Sequence, residues 1–303
     1  TGMPTVEHYF APALLSLLDE IYRKEATIAT ENDIYRCYAL SGVAQIEIVA
    51  DYSALSKFMR GLQLIMDDFA GFHISASLQS TKRRFSDALG DILAVTEQRA
   101  SELEINYCKR YLTEFIYLHA DGYDSDKVKA RVAIHIAGPY VKNALRVVRA
   151  LAAGLKIRKG FGSLKVCAPC AIIRTDNLIA YFYHPTDLGT IQALLTEGHV
   201  SDCLGDALPP LMRRVQTGVA FAEEPPNVPK SYVTTAEAGT IKNPAKYDPT
   251  VNPFNFTEEG IVLTNRQRIS FGEFHTNRIW AGLVKWRANH ASEKDQRFRR
   301  FLF

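Results

Sequence analysis

The sequence predicts an α+β protein in which a helical N-terminal region packs with a mainly antiparallel sheet flanked by helices. Two observations favour this class. Apolar residues recur at helical spacing through most of residues 8–98, whereas short alternating runs dominate from Tyr111 onward. Helices gathered before strands are typical of α+β folds rather than of doubly wound sheets. We therefore expect a helical region over residues 1–110 and an α+β domain over 111–303, with a Pro/Asn-rich loop at about 223–260.

The predicted helices are amphipathic segments with recognisable starts. One begins near Pro12, and another opens at Gly138-Pro139 and runs through Leu155, with Pro139 suited to a first helical turn. Further helices are expected at Tyr52–Phe69, Phe85–Arg110, Leu188–Glu197 and Ile279–Arg287. The run from Ala44 to Asp51 alternates and fits a strand as well as a helix.

The predicted strands are short and rich in β-branched and aromatic residues. They lie at Tyr111–His119, Val128–Ala137, Gly162–Ala168, Leu178–Tyr183 and Val215–Ala222.

Composition excludes several classes of function. A net charge of +3 is too balanced to indicate nucleic-acid binding, and we find no apolar run near the roughly 20 residues that span a bilayer. Five scattered cysteines are typical of a reducing compartment rather than of a disulfide framework. Cys167-Ala-Pro-Cys170 lacks the second ligand pair that a zinc site needs, so no metal is expected. Fingerprints for nucleotide cofactors are likewise missing from the sequence.

One constellation carries chemistry. In Arg131-Val-Ala-Ile-His135, alternation places the arginine and the histidine on one face of a strand and the valine and isoleucine on the other. Lys165 lies in a later strand, Gly162–Ala168, beyond the intervening helix. A cation, an imidazole and a lysine together are what a site that eliminates phosphate requires.

At these residues the sequence resembles three groups of proteins. Arg131 to Pro139, followed by the helix and Leu-Lys165-Val, looks like the core of the OspF/SpvC phosphothreonine lyases and of lanthipeptide synthetase lyase domains. The region from about Tyr111 to the end more closely resembles the HopA-type bacterial effector family. Members of that family also occur as lyase partners of kinases in peptide dehydration. The pieces that match in order are 131–139, 165–169, 174–181, 217–222 and 270–278.

The resemblance implies β-elimination of phosphate from phosphoserine or phosphothreonine. Lys165 would be the general base and would have to be neutral, His135 the general acid as a histidinium, and Tyr181 or Tyr183 a hydrogen-bond donor to the substrate. Arginine forks suit phosphate. The candidates for holding it are Arg131 and Arg174, followed by Arg213, Arg214 and Arg278. Ser270 to Arg278 also fits a capped helix N-terminus, in which Ser270 and Glu273 form a capping box.

This sequence differs from the OspF-type motif at one position, and the resemblance implies several partners. OspF-type motifs have a lysine two residues before the histidine; this chain has Ala133 there, so Arg131 would supply the charge. A phosphorylated precursor peptide or protein would be the substrate, a separate Ser/Thr kinase would supply it, and no cofactor would be needed. Residues 1–110 would support the sheet or recognise the substrate's leader segment. We expect a cytoplasmic protein, or one secreted into a host cell if it is an effector. The alternative is a noncatalytic effector or phosphopeptide-binding module.

Overall fold

The computed structural model describes residues 12–40, 52–69, 75–78, 115–157, 161–169, 175–184, 187–225, 228–229, 266–267 and 271–289. The helices are α1 (Pro12–Arg23), α2 (Glu31–Leu40), α3 (Tyr52–Asp68), α4 (Tyr140–Ile157), α5 (Leu188–Glu197) and α6 (Phe271–Asn289). The strands are β1 (Ser75–Leu78), β2 (Phe115–His119), β3 (Ala130–Ile134), β4 (Phe161–Cys167), β5 (Leu178–Phe182), β6 (Arg213–Gln216), β7 (Val219–Glu223), β8 (Val228–Pro229) and β9 (Arg266–Gln267). Short 3₁₀ turns lie at Glu25–Thr27, Ser125–Lys127 and Ser201–Cys203.

A seven-stranded antiparallel sheet in the order β1-β2-β4-β5-β3-β7-β6 organises the middle of the chain. Helix α4 connects β3 to β4, but β5 inserts between these two strands and pairs with both. The predicted α+β class with a mainly antiparallel sheet is therefore confirmed.

One face of this sheet, which we call the core face, carries the aliphatic residues. Val132 and Ile134 of β3, for example, pack in the same buried cluster as Val147 and Leu151 of α4. Helix α3 adds Phe58 and its neighbours to this cluster, and α5 adds two more residues. The apolar residues of α4 recur at spacings of three and four, which explains why a single face of this helix is buried.

The opposite face, which we call the aromatic face, carries the alternate residues of four adjacent strands. These are Phe115, Tyr117 and His119 of β2, Ser163 and Lys165 of β4, Ile179 and Tyr181 of β5, and Arg131 and Ala133 of β3. Residues that pair across neighbouring strands lie on the same side of a sheet, so the register alone places them together.

The chain forms two compact units, Gly42–Glu223 and Thr1–Ser41 with Glu224–Phe303. Helix α3 and strand β1 belong to the same unit as the rest of the large sheet. In the other unit, Arg287 of α6 donates hydrogen bonds to the side chain and carbonyl of Glu25 and to the carbonyl of Ile28. The boundary near residue 110 and the roles of residues 1–110 stay predictions.

Most predicted elements in the described part of the chain are found within a few residues of their expected ends. The strand expected at Val215–Ala222 is instead a β6–β7 hairpin, turning at Thr217-Gly218. Gly218 has a φ of 67°, and a Cβ there would lie 2.6 Å from the carbonyl oxygen of Gly205, so glycine is required. Helix α6 begins at Phe271 rather than Ile279, which agrees with the start signal at Ser270.

Two further differences concern the ends of the sheet. Strand β1 was not predicted from the sequence. The helix expected at Phe85–Arg110 and the ambiguous run Ala44–Asp51 lie outside the described residues.

Replacing Phe58 by alanine should lower the free energy of unfolding by about 3–5 kcal/mol, because its fully buried ring joins α3 to the core face. Leu64 on the same helix is 61% exposed, so Leu64→Ala should cost no more than about 0.5 kcal/mol. Urea denaturation of both variants measures the difference. Equal losses would show that α3 does not pack as described.

Candidate functional site

The register of the sheet arranges the candidate residues of the aromatic face in two rows. In the first row, Arg131 pairs with Tyr181, Tyr181 with Ser163, and Ser163 with His119. In the second row, Ala133, Ile179, Lys165 and Tyr117 follow each other in the same way. Arg131 and Lys165 therefore share a face, on either side of β5.

Strand spacing determines how far apart these residues are. Neighbouring strands lie about 4.8 Å apart and residues along a strand about 3.3 Å, so the Cα atoms of Arg131 and Lys165 are about 12 Å apart. His135, two residues beyond Ala133 in the other direction, is also about 12 Å from Lys165 by the same geometry. His119 is a diagonal neighbour of Lys165 on the adjacent strand, at about 7–8 Å.

Lys165 is half-buried among aromatic rings. Its Nζ lies 4.0 Å from the centroid of the Phe115 ring and 5.5 Å from that of Tyr117. Ring faces attract a cation, so this environment favours the ammonium form of the side chain.

Arg131 is buried, with only 7% of its surface exposed. The guanidinium carbon lies 5.3 Å from the centroid of the Tyr181 ring. Because a buried charge is costly unless it is compensated, a guanidinium at this position needs groups that stabilise it, and the Tyr181 ring is one of them.

His119 is a half-buried imidazole that contacts two tyrosine rings and one serine hydroxyl. Its ring stacks on Tyr117 and Tyr123, with centroids 5.4 and 4.5 Å away, and its Nδ1 lies in a hydrogen bond 2.8 Å from Ser163 Oγ. Burial lowers the pKa of His119 below its usual value of 6.5, so the ring is neutral at pH 7.

His135 lies at the far end of the aromatic face. Its amide donates to the carbonyl of Gly218, and its own carbonyl accepts from the amide of Gly205. The side-chain amide of Asn177 bonds both backbone groups of Ile136, which continues the strand pattern past β3.

His135 favours the neutral imidazole rather than the histidinium that the resemblance implied. Burial lowers the pKa of His135 below 6.5, and this outweighs the opposing effects of the Thr175 backbone and of Asp206. Its Nδ1 atom is buried and has no hydrogen-bond partner among the described residues. An acid role for His135 therefore requires that bound phosphate raise this pKa.

Tyr183 lies beside the aromatic face and supports a turn. Its hydroxyl accepts a hydrogen bond from the amide of Asp124 at 2.9 Å, and its ring stacks 6.4 Å from Tyr123. Both rings crowd Gly162, where β4 bulges, so that a Cβ there would lie within 3.0 Å of them. Tyr181, one pairing position from Arg131, is closer to the cations than Tyr183 is.

The other candidate arginines lie far from Lys165 or outside the two rows. Arg214 continues the second row, because its partner Ala220 pairs with Ala133, but it lies four strands from Lys165, or about 19 Å. Arg213 lies on the core-face side, 5.5 Å from the Phe221 ring. Arg278 is exposed on α6, in the other compact unit, and Arg174 lies outside the described residues.

Metal ligands do not cluster in the described part of the chain, where no group of three or more His, Cys, Asp or Glu side chains could hold an ion. Cys37, Cys167 and Cys203 are free and buried. Cys108 and Cys170 lie outside the described residues, so the Cys167–Cys170 pair stays untested.

The sheet region matches a known family. Residues 111–239 match the HopA1 effector protein family. The predicted resemblance to HopA-type effectors is therefore confirmed for these residues. No curated protein is similar enough to count as a match.

Solved structures of bacterial effector proteins resemble this chain. One is the effector protein from Pseudomonas syringae pv. syringae strain 61, with 16% identity and a TM-score of 0.52 over 80% of this chain and 96% of that chain. Another is the effector protein from Pseudomonas syringae pv. tomato strain DC3000, with 14% identity and a TM-score of 0.49 over 89% and 93%. At this identity the first likeness shows the fold alone.

None of the helices that the structure describes is long and apolar enough to cross a membrane.

Sequence reasoning missed His119 and Ser163. The alternation of Phe115-Ile-Tyr-Leu-His119 already placed the histidine on the face of two aromatic residues. The missing information was that β4 pairs with β2 in the register that sets Ser163 opposite His119.

The two half-buried histidines should make the protein less stable in mild acid. Because their pKa values are lower in the folded protein than in the unfolded chain, the unfolded chain binds more protons below about pH 6.5. The free energy of unfolding should therefore fall as the pH drops from 7 through the folded-state pKa values. Urea denaturation at a series of pH values measures this slope, which the double variant His119→Gln/His135→Gln should reduce. An unchanged slope would contradict the burial of these rings.

Proposed function

We propose that this chain is a phosphoserine/phosphothreonine lyase, which β-eliminates phosphate from a phosphorylated peptide or protein and leaves dehydroalanine or dehydrobutyrine. The reaction needs donors for a phosphate dianion, an acceptor for the α-proton and a donor for the leaving oxygen. All three kinds of group lie on the aromatic face.

The observation that carries the proposal is the placement of Arg131 and Lys165 across β5. Both side chains are long, and their Cα atoms are about 12 Å apart, so a phosphate lying above β5 can contact both. A guanidinium fork and an ammonium form charge-assisted hydrogen bonds with phosphate. Ala133 stands where the OspF-type motif has its lysine, so Arg131 is the cation that β3 contributes to this face.

The resemblance to phosphothreonine lyases supports this reaction class, and the match of residues 111–239 to the HopA1 effector protein family supports a role as an effector. A separate Ser/Thr kinase would supply the phosphorylated substrate, and we propose no cofactor, because acid–base groups alone complete the elimination. If the chain acts as an effector, it would be delivered into a host cell and its substrate would be a host protein.

The same cations also support a second function, a noncatalytic effector or phosphopeptide-binding module. The buried guanidinium of Arg131 and the ring-bound Lys165 would hold a phosphate whether or not a proton is removed. A phosphopeptide that binds and keeps its mass would favour this function.

Replacing Lys165 by alanine should lower the kcat of elimination by about 10²–10⁴-fold, because the variant loses the ammonium or amine group that acts on the phosphorylated residue. Mass spectrometry of a phosphothreonine peptide, followed for loss of phosphoric acid, measures the rate. Lys142→Ala, an exposed lysine on α4, is the matched control and should keep the wild-type rate. A Lys165→Ala variant as active as this control would contradict the proposal.

Replacing Arg131 by glutamine should weaken phosphopeptide binding by about 10–150-fold, the equivalent of one charge-assisted contact worth about 1.5–3 kcal/mol. Arg131→Lys keeps the positive charge but lacks the two-pronged guanidinium. Its phosphopeptide affinity should lie between those of wild type and Arg131→Gln, and such partial binding would show that the fold tolerates a substitution at this position. Arg149→Gln, at an exposed ion pair with Asp68, is the control. Isothermal titration with the phosphopeptide measures all three, and an Arg131→Gln affinity equal to that of the control would contradict the clamp.

A further inference from the structure

We infer that His119, oriented by Ser163, is the group that removes the α-proton in the proposed elimination, while Lys165 stays an ammonium that binds the phosphate and protonates its leaving oxygen. This rests on the proposed function and reassigns the roles within it. The resemblance implied the opposite arrangement, with Lys165 as base and His135 as acid.

His119 lies nearer to Lys165 than His135 does. His119 is the diagonal neighbour of Lys165 on the adjacent strand, at about 7–8 Å between backbones. His135 is about 12 Å away, across two strands. A base and an acid acting on one phosphothreonine must lie on either side of two bonded carbon atoms, so the nearer imidazole fits better.

The rings around Lys165 favour its charged form. Its Nζ lies 4.0 Å from the Phe115 ring centroid and 5.5 Å from that of Tyr117. Two ring faces stabilise an ammonium relative to a neutral amine. An ammonium cannot accept the α-proton, but it can bind phosphate and donate a proton to it.

Ser163 and two tyrosine rings orient the His119 ring. When Ser163 Oγ gives its one proton to the carbonyl of Leu164, 3.4 Å away, its lone pairs accept Nδ1–H of His119 across the 2.8 Å contact. The role of His119 as a base requires this tautomer, in which the lone pair of the ring is on Nε2. Stacking on Tyr117 and Tyr123 fixes the plane of the ring.

Burial supplies the protonation state that a base needs. It lowers the pKa of His119, so Nε2 carries its lone pair at neutral pH. Lys165, Tyr117 and Tyr123 flank His119 on this side of the sheet, and the carboxylates of Asp121 and Asp124 lie in the turn that follows β2.

The step balances with these groups alone. Nε2 of His119 takes the proton from Cα of the phosphorylated residue, and the electron pair of that C–H bond forms the Cα=Cβ double bond. The Cβ–O bond breaks, its electron pair leaves on the phosphate oxygen, and Nζ of Lys165 gives that oxygen a proton. Afterwards the histidinium returns its proton, and the lysine regains one, through water.

The decisive experiment compares the phosphopeptide affinity of Lys165→Arg with that of Lys165→Ala, measured by isothermal titration. Arginine keeps a cation that contacts phosphate but can act neither as base nor as acid, since it stays protonated. If Lys165 is a phosphate-binding ammonium, Lys165→Arg should bind within about 10-fold of wild type while Lys165→Ala binds about 10–150-fold more weakly. A neutral lysine that acts as base contributes no charge to binding, so a Lys165→Ala variant that binds as tightly as wild type overturns the inference.

Histidine variants and the pH profile of the reaction test the role of His119 as the base. His119→Gln should lower kcat by about 10²–10⁴-fold with little change in phosphopeptide affinity, whereas exposed His184→Gln should keep the wild-type rate. Wild-type kcat/KM should rise with pH through a midpoint below 6.5, and Ser163→Ala should shift that midpoint, because Ser163 is a positioning residue for His119.

Long-range ¹H–¹⁵N NMR of His119 should show the proton on Nδ1.

The outcomes separate the inference from the proposed function. A wild type that eliminates phosphate, while His119→Gln does so at a similar rate or His135→Gln is the more damaged variant, overturns the inference and leaves the lyase standing. A wild type that binds the phosphopeptide and eliminates nothing overturns the proposed function, and the inference with it.

Discussion

The antiparallel pairing of β4, β5 and β3 is the constraint on which the rest of the structure depends. Because β5 inserts between two strands that follow each other along the chain, Ser163 and Arg131 both pair with Tyr181, and Lys165 and Ala133 both pair with Ile179. A shift of one residue in either pairing would turn the cations toward the core face, where helices pack. Stability and the proposed chemistry therefore depend on the same register.

The two faces of the sheet have different tasks. Aliphatic side chains cover the core face and bury it against α3, α4 and α5. On the aromatic face, rings lie beside the cations: Lys165 is over Phe115 and Arg131 over Tyr181.

The sequence predicted the fold class and most element positions because alternation and helical spacing are local signals. It also placed Arg131 and His135 on one face. The order of the strands was not predictable locally, since the insertion of β5 depends on long-range pairing. For the same reason the contact between Ser163 and His119, which are 44 residues apart, could not be found. Arg213 and Arg214 could have been separated, because adjacent residues in a strand point to opposite faces.

The most direct measurement is the mass of a phosphothreonine peptide after incubation with the intact protein, followed by treatment with a thiol. The account predicts loss of phosphoric acid to give dehydrobutyrine, which the thiol then modifies. A product that has lost phosphate but gained water, and so does not react with the thiol, would show hydrolysis instead. That result, or an unchanged peptide, would contradict the claim that the aromatic face carries out elimination.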